Sequence, residues 1–450
     1  MSGPSLFHHS ATTPPEISAR FADIHPPLEP QAAFLEANRC LYCFDAPCAS
    51  ACPTHIDVPR FIKKIASGNL PGSARTILDA NILGASCARA CPVEVLCEGA
   101  CVMHHQAAAP IQIGRLQRFA MDALHASGAG LPFKAGADAG SSVALVGGGP
   151  ASLSCAAELR RRGIGAEIYD ARPLPGGLNT YGVAEYKLPL AESLREIDML
   201  AQLGVVFHYD VLVDATMLAE LGRGYDAVFV GTGLGAVRRL GLQGDALDGI
   251  IDALAFIAAY KSGYILTVPS RVAVVGGGNT AIDAAIAAVR LGALDVTVLY
   301  RRGAEQMSAF SFEYEHALRE GVKFRWNVQP VRIHGRERLQ SVELVELASN
   351  KDGFLMPVER SEFMLDLDLL IFAIGQTAHT GLFNANYLNR VATEDGRILV
   401  NRATGQTSLP NVFAGGDCIN GGREVVDAVA DGKRAAIGIA AWLEGTRVHD

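Results

Sequence analysis

Eight of the ten cysteines lie between Cys40 and Cys101, within 62 of the 450 residues. The run reads Cys40-Leu-Tyr-Cys43, four residues to Cys48, then three to Cys52-Pro53. It resumes at Cys87, with three residues to Cys91-Pro92, five to Cys97 and three to Cys101. A CxxC pair brings two thiolates to one centre, and each Cys-Pro ends a ligand loop by fixing φ and removing a backbone donor. These spacings, with Cys-Pro closing a run, fit [4Fe–4S] ligation better than zinc or a disulfide framework. The stretch from Met1 to Pro30 has six prolines but no charged n-region followed by an apolar h-region, so it reads as an extended arm and not a secretory signal. That counts further against disulfides.

The remaining composition describes an α/β protein. The chain is 49% hydrophobic and 19% charged, with 47 glycines, as buried parallel strands and tight turns require. A net charge of −8 argues against a nucleic-acid binder. A membrane-spanning helix needs about 20 apolar residues, and the sequence has no such stretch. The expected location is the cytoplasm.

Residues 31–125 are helical in pattern. Phe61-Ile-Lys-Lys-Ile65 is amphipathic, and Ile113 to Leu124 places Leu116, Phe119 and Leu124 on one face. A helical unit this small buries little apolar surface alone, so two clusters would act as staples and couple metal binding to folding. The Gly- and Ala-rich stretch 126–140 is a linker.

At Ser142 the pattern changes. Val143–Val146 reads as a buried strand, followed by Gly147-Gly148-Gly149-Pro150-Ala151-Ser152, a helix to Arg162, and a second strand ending at Asp170. Glycines let the backbone approach a pyrophosphate at a helix N-terminus, and the acid takes ribose hydroxyls. Ser152 replaces the third glycine of that fingerprint. The unit recurs: Val272–Val275, then Gly276-Gly277-Gly278-Asn279-Thr280-Ala281, a helix, and a strand ending in Tyr300-Arg301-Arg302. An arginine pair where the first unit has an acid can hold a ribose 2′-phosphate, which points to NADP. Val228–Gly233 and Ile371–Gly375 are strand-plus-glycine pieces expected where the chain crosses between two nested nucleotide domains. Asn411–Asp417 ends in Gly-Gly-Asp before a helix beginning near Arg423, an arrangement suited to a ribityl hydroxyl and a phosphate. Cys155 and Cys418 stand outside the cysteine run and read as small packing residues.

From about residue 34 onward the chain resembles the dihydropyrimidine dehydrogenase family: the N-terminal half of that enzyme and its separate bacterial electron-input subunit, PreT. The small subunit of glutamate synthase is a more distant relative with the same modules. The resemblance rests on Cys40-x-x-Cys43-Phe-Asp-Ala-Pro-Cys48, Gly84-Ala-Ser-Cys87, Cys91-Pro92, Pro110-Ile-Gln-Ile-Gly-Arg-Leu-Gln117-Arg-Phe119, Gly176-Gly177-Leu178, Lys187-Leu-Pro189 and Val412–Asp417.

The resemblance implies one cluster held by Cys40, Cys43, Cys48 and Cys101. It implies a second held by Cys52, Cys91, Cys97 and Gln117, with Cys87 a nearby non-ligand; spacing alone leaves Cys87 and Gln117 as alternatives for the fourth position. An amide oxygen is a weaker, harder ligand than a thiolate and would shift that cluster's potential. For FAD it implies contacts from Gly147, Gly148, Gly149, Pro150 and Ala151, from Asp170 through Gly176, Gly177 and Leu178, and from Lys187, Val213, Gly416 and Asp417. For the nicotinamide nucleotide it implies Gly277, Gly278, Asn279, Thr280, Arg301, Arg302, Ala373, Ile374 and Gly375. The family's second phosphate-binding arginine is replaced by Ser308 here, so NADH and NADPH both stay open.

The expected fold is an N-terminal helical iron–sulfur domain followed by two nested Rossmann-like α/β domains. The expected boundaries are an extended arm over 1–30, the iron–sulfur domain over 31–125, an FAD domain split between 141–252 and 370–450, and an NAD(P) domain over 253–369. The expected function is electron input: hydride from NAD(P)H to FAD, then single electrons through two [4Fe–4S] clusters to an FMN- and iron–sulfur-containing barrel partner that reduces uracil or thymine, in a heterotetramer. A TIM barrel takes about 250 residues, and these three modules leave no room for one, so this chain is not expected to reduce a pyrimidine alone. Hydride transfer to flavin needs no side-chain acid, so no catalytic residue is named. The alternative is a glutamate synthase small subunit or another NAD(P)H-dependent reductase feeding a different acceptor.

Overall fold

The computed structural model describes residues 15–351, 353–379, 381–383 and 390–445. Six α-helices carry the cysteine region: Pro30–Asn38, Pro47–Ser50, Val58–Ala66, Leu70–Ala80, Gly84–Ala90 and Ile113–Ser127. Their starts follow from local chemistry. Pro30, Pro59 and Pro71 sit in first turns, where a missing N–H costs nothing. The Asp57 and Asn69 side chains accept the Arg60 and Gly72 amides at 3.1 and 2.9 Å. In Val58–Ala66, Val58, Phe61, Ile62 and Ile65 are buried, the stripe expected from the sequence. In Ile113–Ser127, Leu116 and Leu124 are buried and Phe119 packs partly against the same core. Phe61, Ile77 and Leu116 share one hydrophobic core with Leu145, Leu153 and Ile197, so the small helical unit closes its interior by borrowing the next one.

The next unit is a five-stranded parallel sheet. Its order is Val412–Ala414, Ala227–Val230, Ser142–Val146, Gly165–Tyr169, Val206–His208. The strand at its edge therefore returns from near the end of the chain. A second five-stranded parallel sheet runs Ile250–Asp252, Leu369–Phe372, Arg271–Val275, Asp295–Tyr300, Lys323–Trp326. Both sheets are near-continuous apolar runs because both faces are covered. The boundaries expected at 252/253 and 369/370 need correction. Ile250–Asp252 and Leu369–Phe372 pair with each other and with the second sheet, so the chain crosses earlier on the way out and later on the way back.

An antiparallel sheet of Val328–Gly335, Leu339–Ser349, Leu355–Pro357 and Phe363–Asp366 was not expected from the sequence. Its Val342 and Leu344 pack with Val275, Leu299 and Phe372 of the second sheet. Among the described residues, no helix is long and apolar enough to cross a membrane.

The N-terminal arm also needs correction, within residues 15–30; residues 1–14 lie outside those described. Pro15–Arg20 is helical, and Ile17 and Phe21 are buried in the core of the second sheet's unit. Phe21 stacks on Tyr260 at 4.8 Å between ring centroids. Arg290 donates to the Ala22 carbonyl (2.8 Å), while Arg118 and Arg115 of the cysteine-bearing unit take Asp23 and the Pro26 carbonyl. The arm is a strap joining the cysteine-bearing unit to the second sheet's unit. Phe21→Ala should cost about 3 kcal/mol, the usual loss for emptying a buried aromatic site, read as a lower midpoint in urea unfolding; an unchanged midpoint would mean that the strap carries no load.

Candidate functional site

The first sheet's strand ends open onto a cavity of about 810 Å³. Gly147 to Ala151, Asp170, Gly177, Leu178, Val213, Gly416 and Asp417 all line it, as expected from the sequence. The wall requires backbone without side chains. Gly147 has φ +91°, and a Cβ there would sit 2.7 Å from the Gly231 carbonyl oxygen. Gly177, at φ +53°, would drive a Cβ to 2.8 Å from the Gly149 Cα. Ser152 takes the place of the third glycine because the partner position is itself a glycine: a Cβ on Gly231 would overlap the Ser152 hydroxyl. Pro150–Arg161 starts at this wall with no side-chain cap, leaving its first amides for a ligand.

Asp170 first serves the turn. Its carboxylate accepts the Gly148 amide and the Arg172 amide, the latter at 2.8 Å, and burial raises its pKa against those two donors. Asp417 accepts the Arg423 amide at 3.1 Å and is likewise raised by burial. Two further atoms test whether the cavity suits a polar cofactor. Thr232 Oγ1 and Asn179 Oδ1 are buried, line the cavity and have no hydrogen-bond partner among the described residues. A buried polar atom left unpaired is costly, so the wall fits a ligand such as FAD that supplies hydrogen-bonding groups there. The sequence reading missed both as ligand contacts. The signal available was their position, directly after Gly231 and just beyond Gly176-Gly177-Leu178.

Two expected flavin residues are placed elsewhere. Gly176 lies behind the wall, its amide on the Gly148 carbonyl at 2.7 Å. Lys187 does not line the cavity; its ammonium is buried between Asp283 and Glu313 of the second unit.

The second turn is built in the same way. A Cβ on Gly277 would overlap the Tyr300 ring, and one on Gly276 would overlap the Ala373 carbonyl, so Ala373 abuts the turn, with Ile374 and Gly375 following it in the chain. The Gly277 carbonyl accepts the Ser308 and Ala309 amides at 3.1 and 2.9 Å, and Asn279 Oδ1 accepts the Phe310 amide at 3.0 Å. Gly278 and Thr280 flank Asn279 at the start of the Asn279–Arg290 helix. Arg301 and Arg302 are exposed and form no ion pair with any described residue, so their guanidinium forks are available to an anionic ligand. The Ser308 hydroxyl is turned onto the Gly277 carbonyl at 3.1 Å.

The cysteines form two groups, and none of the ten is disulfide-bonded. Cys40 and Cys48 are raised by burial, Cys48 to about 11; Cys43 and Cys101 act on Cys40, and Cys40 and Cys101 on Cys48, as neighbouring like charges. Cys91 is raised well above the ordinary thiol range by its hydrogen bond with Cys87 and by burial, with Cys97 and Cys52 beside it. Closely grouped thiols that burial keeps protonated fit a metal centre, whose charge would ionise them. Gln117 is buried, and its Nε2 donates to the Gly84 carbonyl at 2.7 Å, one turn before Cys87 on the same helix. Cys87 thus stands at the second group, and Gln117 is tied to the start of the helix that carries it. Cys155 is fully buried, and Cys418 donates weakly to the Gly415 and Val230 carbonyls; both are packing residues.

Residues 17–129 match the family profile described as dihydropyrimidine dehydrogenase domain II, 4Fe-4S cluster. Residues 141–432 match that of the pyridine nucleotide-disulphide oxidoreductases. The chain belongs to the pyridine nucleotide-disulphide oxidoreductase family. It is an NAD(P)H-dependent flavin and iron–sulfur oxidoreductase. It is 33% identical to the glutamate synthase [NADPH] small chain of Escherichia coli strain K12, over 94% of each chain. It is also 33% identical to the NAD-dependent dihydropyrimidine dehydrogenase subunit PreT of the same strain, over 92% of this chain and 95% of that one. Mycobacterium tuberculosis FprA in complex with NADPH has the same fold over 68% of this oxidoreductase and 85% of its own chain, with a TM-score of 0.55 at 19% identity.

The two candidates for the fourth position of the second group predict different variants. With Gln117 as ligand, Cys87→Ser keeps the iron and acid-labile sulfide of the parent, whereas Gln117→Ala loses up to one cluster's share or alters one cluster's EPR spectrum. Loss in Cys87→Ser alone would assign the position to the thiolate.

Proposed function

We propose that this oxidoreductase is the electron-input subunit of a dihydropyrimidine dehydrogenase. The observation that carries the reading is Gln117, a buried amide whose nitrogen is anchored on Gly84, at the start of the helix that carries Cys87. The PreT relative, alike over nearly the whole of both chains, supports it. On this reading FAD occupies the 810 Å³ cavity, NAD(P)H lies across the Gly276–Thr280 turn, and two [4Fe–4S] clusters occupy the two thiol groups. The bound groups supply the exchange of one hydride for two single electrons.

What the chain supplies is arrangement. The Gly147–Ala151 and Gly276–Thr280 turns bring backbone amides to two dinucleotides, and Arg301 and Arg302 leave the far ribose open to either a hydroxyl or a phosphate. Helix Leu190–Gln202 ties the cavity unit to the cluster unit. Its buried Glu196 accepts the Ala85 and Ser86 amides and the Ser86 hydroxyl at the start of the helix that carries Cys87. Near the first thiol group, Phe34, Leu35, Leu41 and Phe44 are exposed, Phe44 completely. Apolar surface of this kind supports a docked partner, here the FMN-bearing subunit that would hold the pyrimidine.

A second reading, a glutamate synthase small subunit, is favoured by the 94% coverage of both chains in that comparison. Anaerobic NADH and NADPH oxidation by this protein mixed with a candidate barrel subunit separates the two. The proposal predicts oxidation that depends on uracil or thymine. Oxidation driven instead by 2-oxoglutarate plus glutamine with a glutamate synthase large subunit, and indifferent to uracil, would replace the first reading with the second.

A further inference from the structure

The seam between the two nucleotide-binding units is crossed by buried charge in both directions. Segment 182–189 follows directly from the cavity wall, yet Ala184 and Tyr186 belong to the core of the second unit, with Val274, Ile282 and Ile371. Lys187 Nζ lies 2.7 Å from Asp283 Oδ1 and 2.5 Å from Glu313 Oε1, and the Tyr186 hydroxyl donates to the same Asp283 oxygen at 2.8 Å. All four side chains are buried. In the opposite direction, Lys261 of helix Ala253–Lys261 donates to the Val183 and Leu188 carbonyls at 2.8 and 2.9 Å and to the Asn179 carbonyl at 3.3 Å.

The acids that receive Lys187 stand directly behind the second turn. Asp283 is one helical turn beyond Asn279 in Asn279–Arg290. Glu313 is three residues beyond Phe310, whose amide is held by Asn279 Oδ1. At the other end, Asn179 lines the first cavity. A short, fully buried chain of contacts therefore runs from the wall of one site to the back of the other. Phe21 and Arg290 pack against Tyr186 and help to close the network from outside.

Burial alone would discharge Lys187, but Asp283 and Glu313 outweigh it and keep the pKa above the ordinary lysine value. Such a buried ion cluster is a poor source of net stability compared with an apolar seam. What it adds is direction: an ammonium between two carboxylates fits in one place, whereas methyl groups slide. Reactions between two bound rings are sensitive to displacements of about an ångström.

We propose that Lys187, clamped by Asp283 and Glu313, is a positioning residue that holds the nucleotide turn at the offset from the flavin cavity that hydride transfer requires. This rests on the reading that the Gly276–Thr280 turn carries the nicotinamide nucleotide. Lys187 touches neither reacting ring; it acts through helices Asn279–Arg290 and Ser311–Arg319, which carry Asp283 and Glu313.

The test uses the full chain with its cofactors, under anaerobic conditions, following flavin reduction by NADPH and by NADH over a range of concentrations. Lys187→Met should lower the limiting rate by about 10- to 100-fold. The nucleotide concentration for half-maximal rate should move by less than about threefold, since the binding turn is intact. Backbone amide exchange at 184–188 and at the start of the 279–290 helix should quicken, with or without nucleotide. A limiting rate within about twofold of the parent, accompanied only by a lower melting temperature, would overturn the proposal and leave an ordinary stabilising ion pair. Should Lys187→Met fail to fold, the variant K187M/D283N/E313Q leaves no uncompensated carboxylate and should show the same loss; an undiminished rate there would also overturn it. If neither nucleotide reduces the flavin of the parent protein, the nucleotide assignment itself fails, and the proposal with it.

Discussion

The structure depends on one constraint, the meeting of bare backbone at the first cavity. Gly147, Gly149, Gly177 and Gly231 come from three separate parts of the first unit and approach closely enough that a methyl group on Gly147, Gly177 or Gly231 would collide. Gly416, returning some 180 residues later with φ +79°, brings its chain to within a methyl's reach of Ala151. Because that last segment must lie beside Ala227–Val230, everything between has to leave the first sheet and come back. The inserted second unit follows from that return, and with it the crossing strands and the buried seam.

The features legible in the sequence are those in which local chemistry and the fold agree. Two strand–glycine–helix–strand units, the acid at Asp170, the Gly-Gly-Asp before the last helix and the cysteine spacings each carry their own short-range reason. The illegible features need partners distant in the chain. Ile250–Asp252 is too short to show a period and is a strand only because Leu369–Phe372 lies against it. In Leu339–Ser349 the register shifts break a clean alternation of buried and exposed positions. The prolines of the arm suggest an extended chain, but Ile17 and Phe21 find an apolar core supplied by residues more than 160 positions away.

Lys187 shows how a correct motif can lead to a wrong position. Lys187-Leu-Pro189 marks the flavin domain, but whether its ammonium faces the cavity or the seam is decided by Asp283 and Glu313, which no local pattern connects to it. Asn179 and Thr232 show the reverse case, unremarkable in sequence and informative in structure because Asn179 Oδ1 and Thr232 Oγ1 are buried on the cavity wall with no hydrogen-bond partner among the described residues. Glu192 and Glu196 together explain how the cluster unit is fixed. Glu196 holds the start of the Cys87 helix, and Glu192, with Asp122, receives Arg89 from within that helix. His125 completes a trio with Asp122 and Glu192 that has the spacing of a metal site, but Arg89 already supplies the positive charge there.

The central claim is that electrons enter at the flavin and leave through the cysteine-bound clusters of the same chain. The most direct measurement is rapid anaerobic mixing of the cofactor-loaded protein with NADPH or NADH and no partner, following flavin and iron–sulfur absorbance separately. The account predicts prompt loss of flavin absorbance, followed by reduction of the clusters within the isolated chain. Flavin reduction with clusters that stay oxidised until a partner is added, or clusters reduced while the flavin is not, would contradict it.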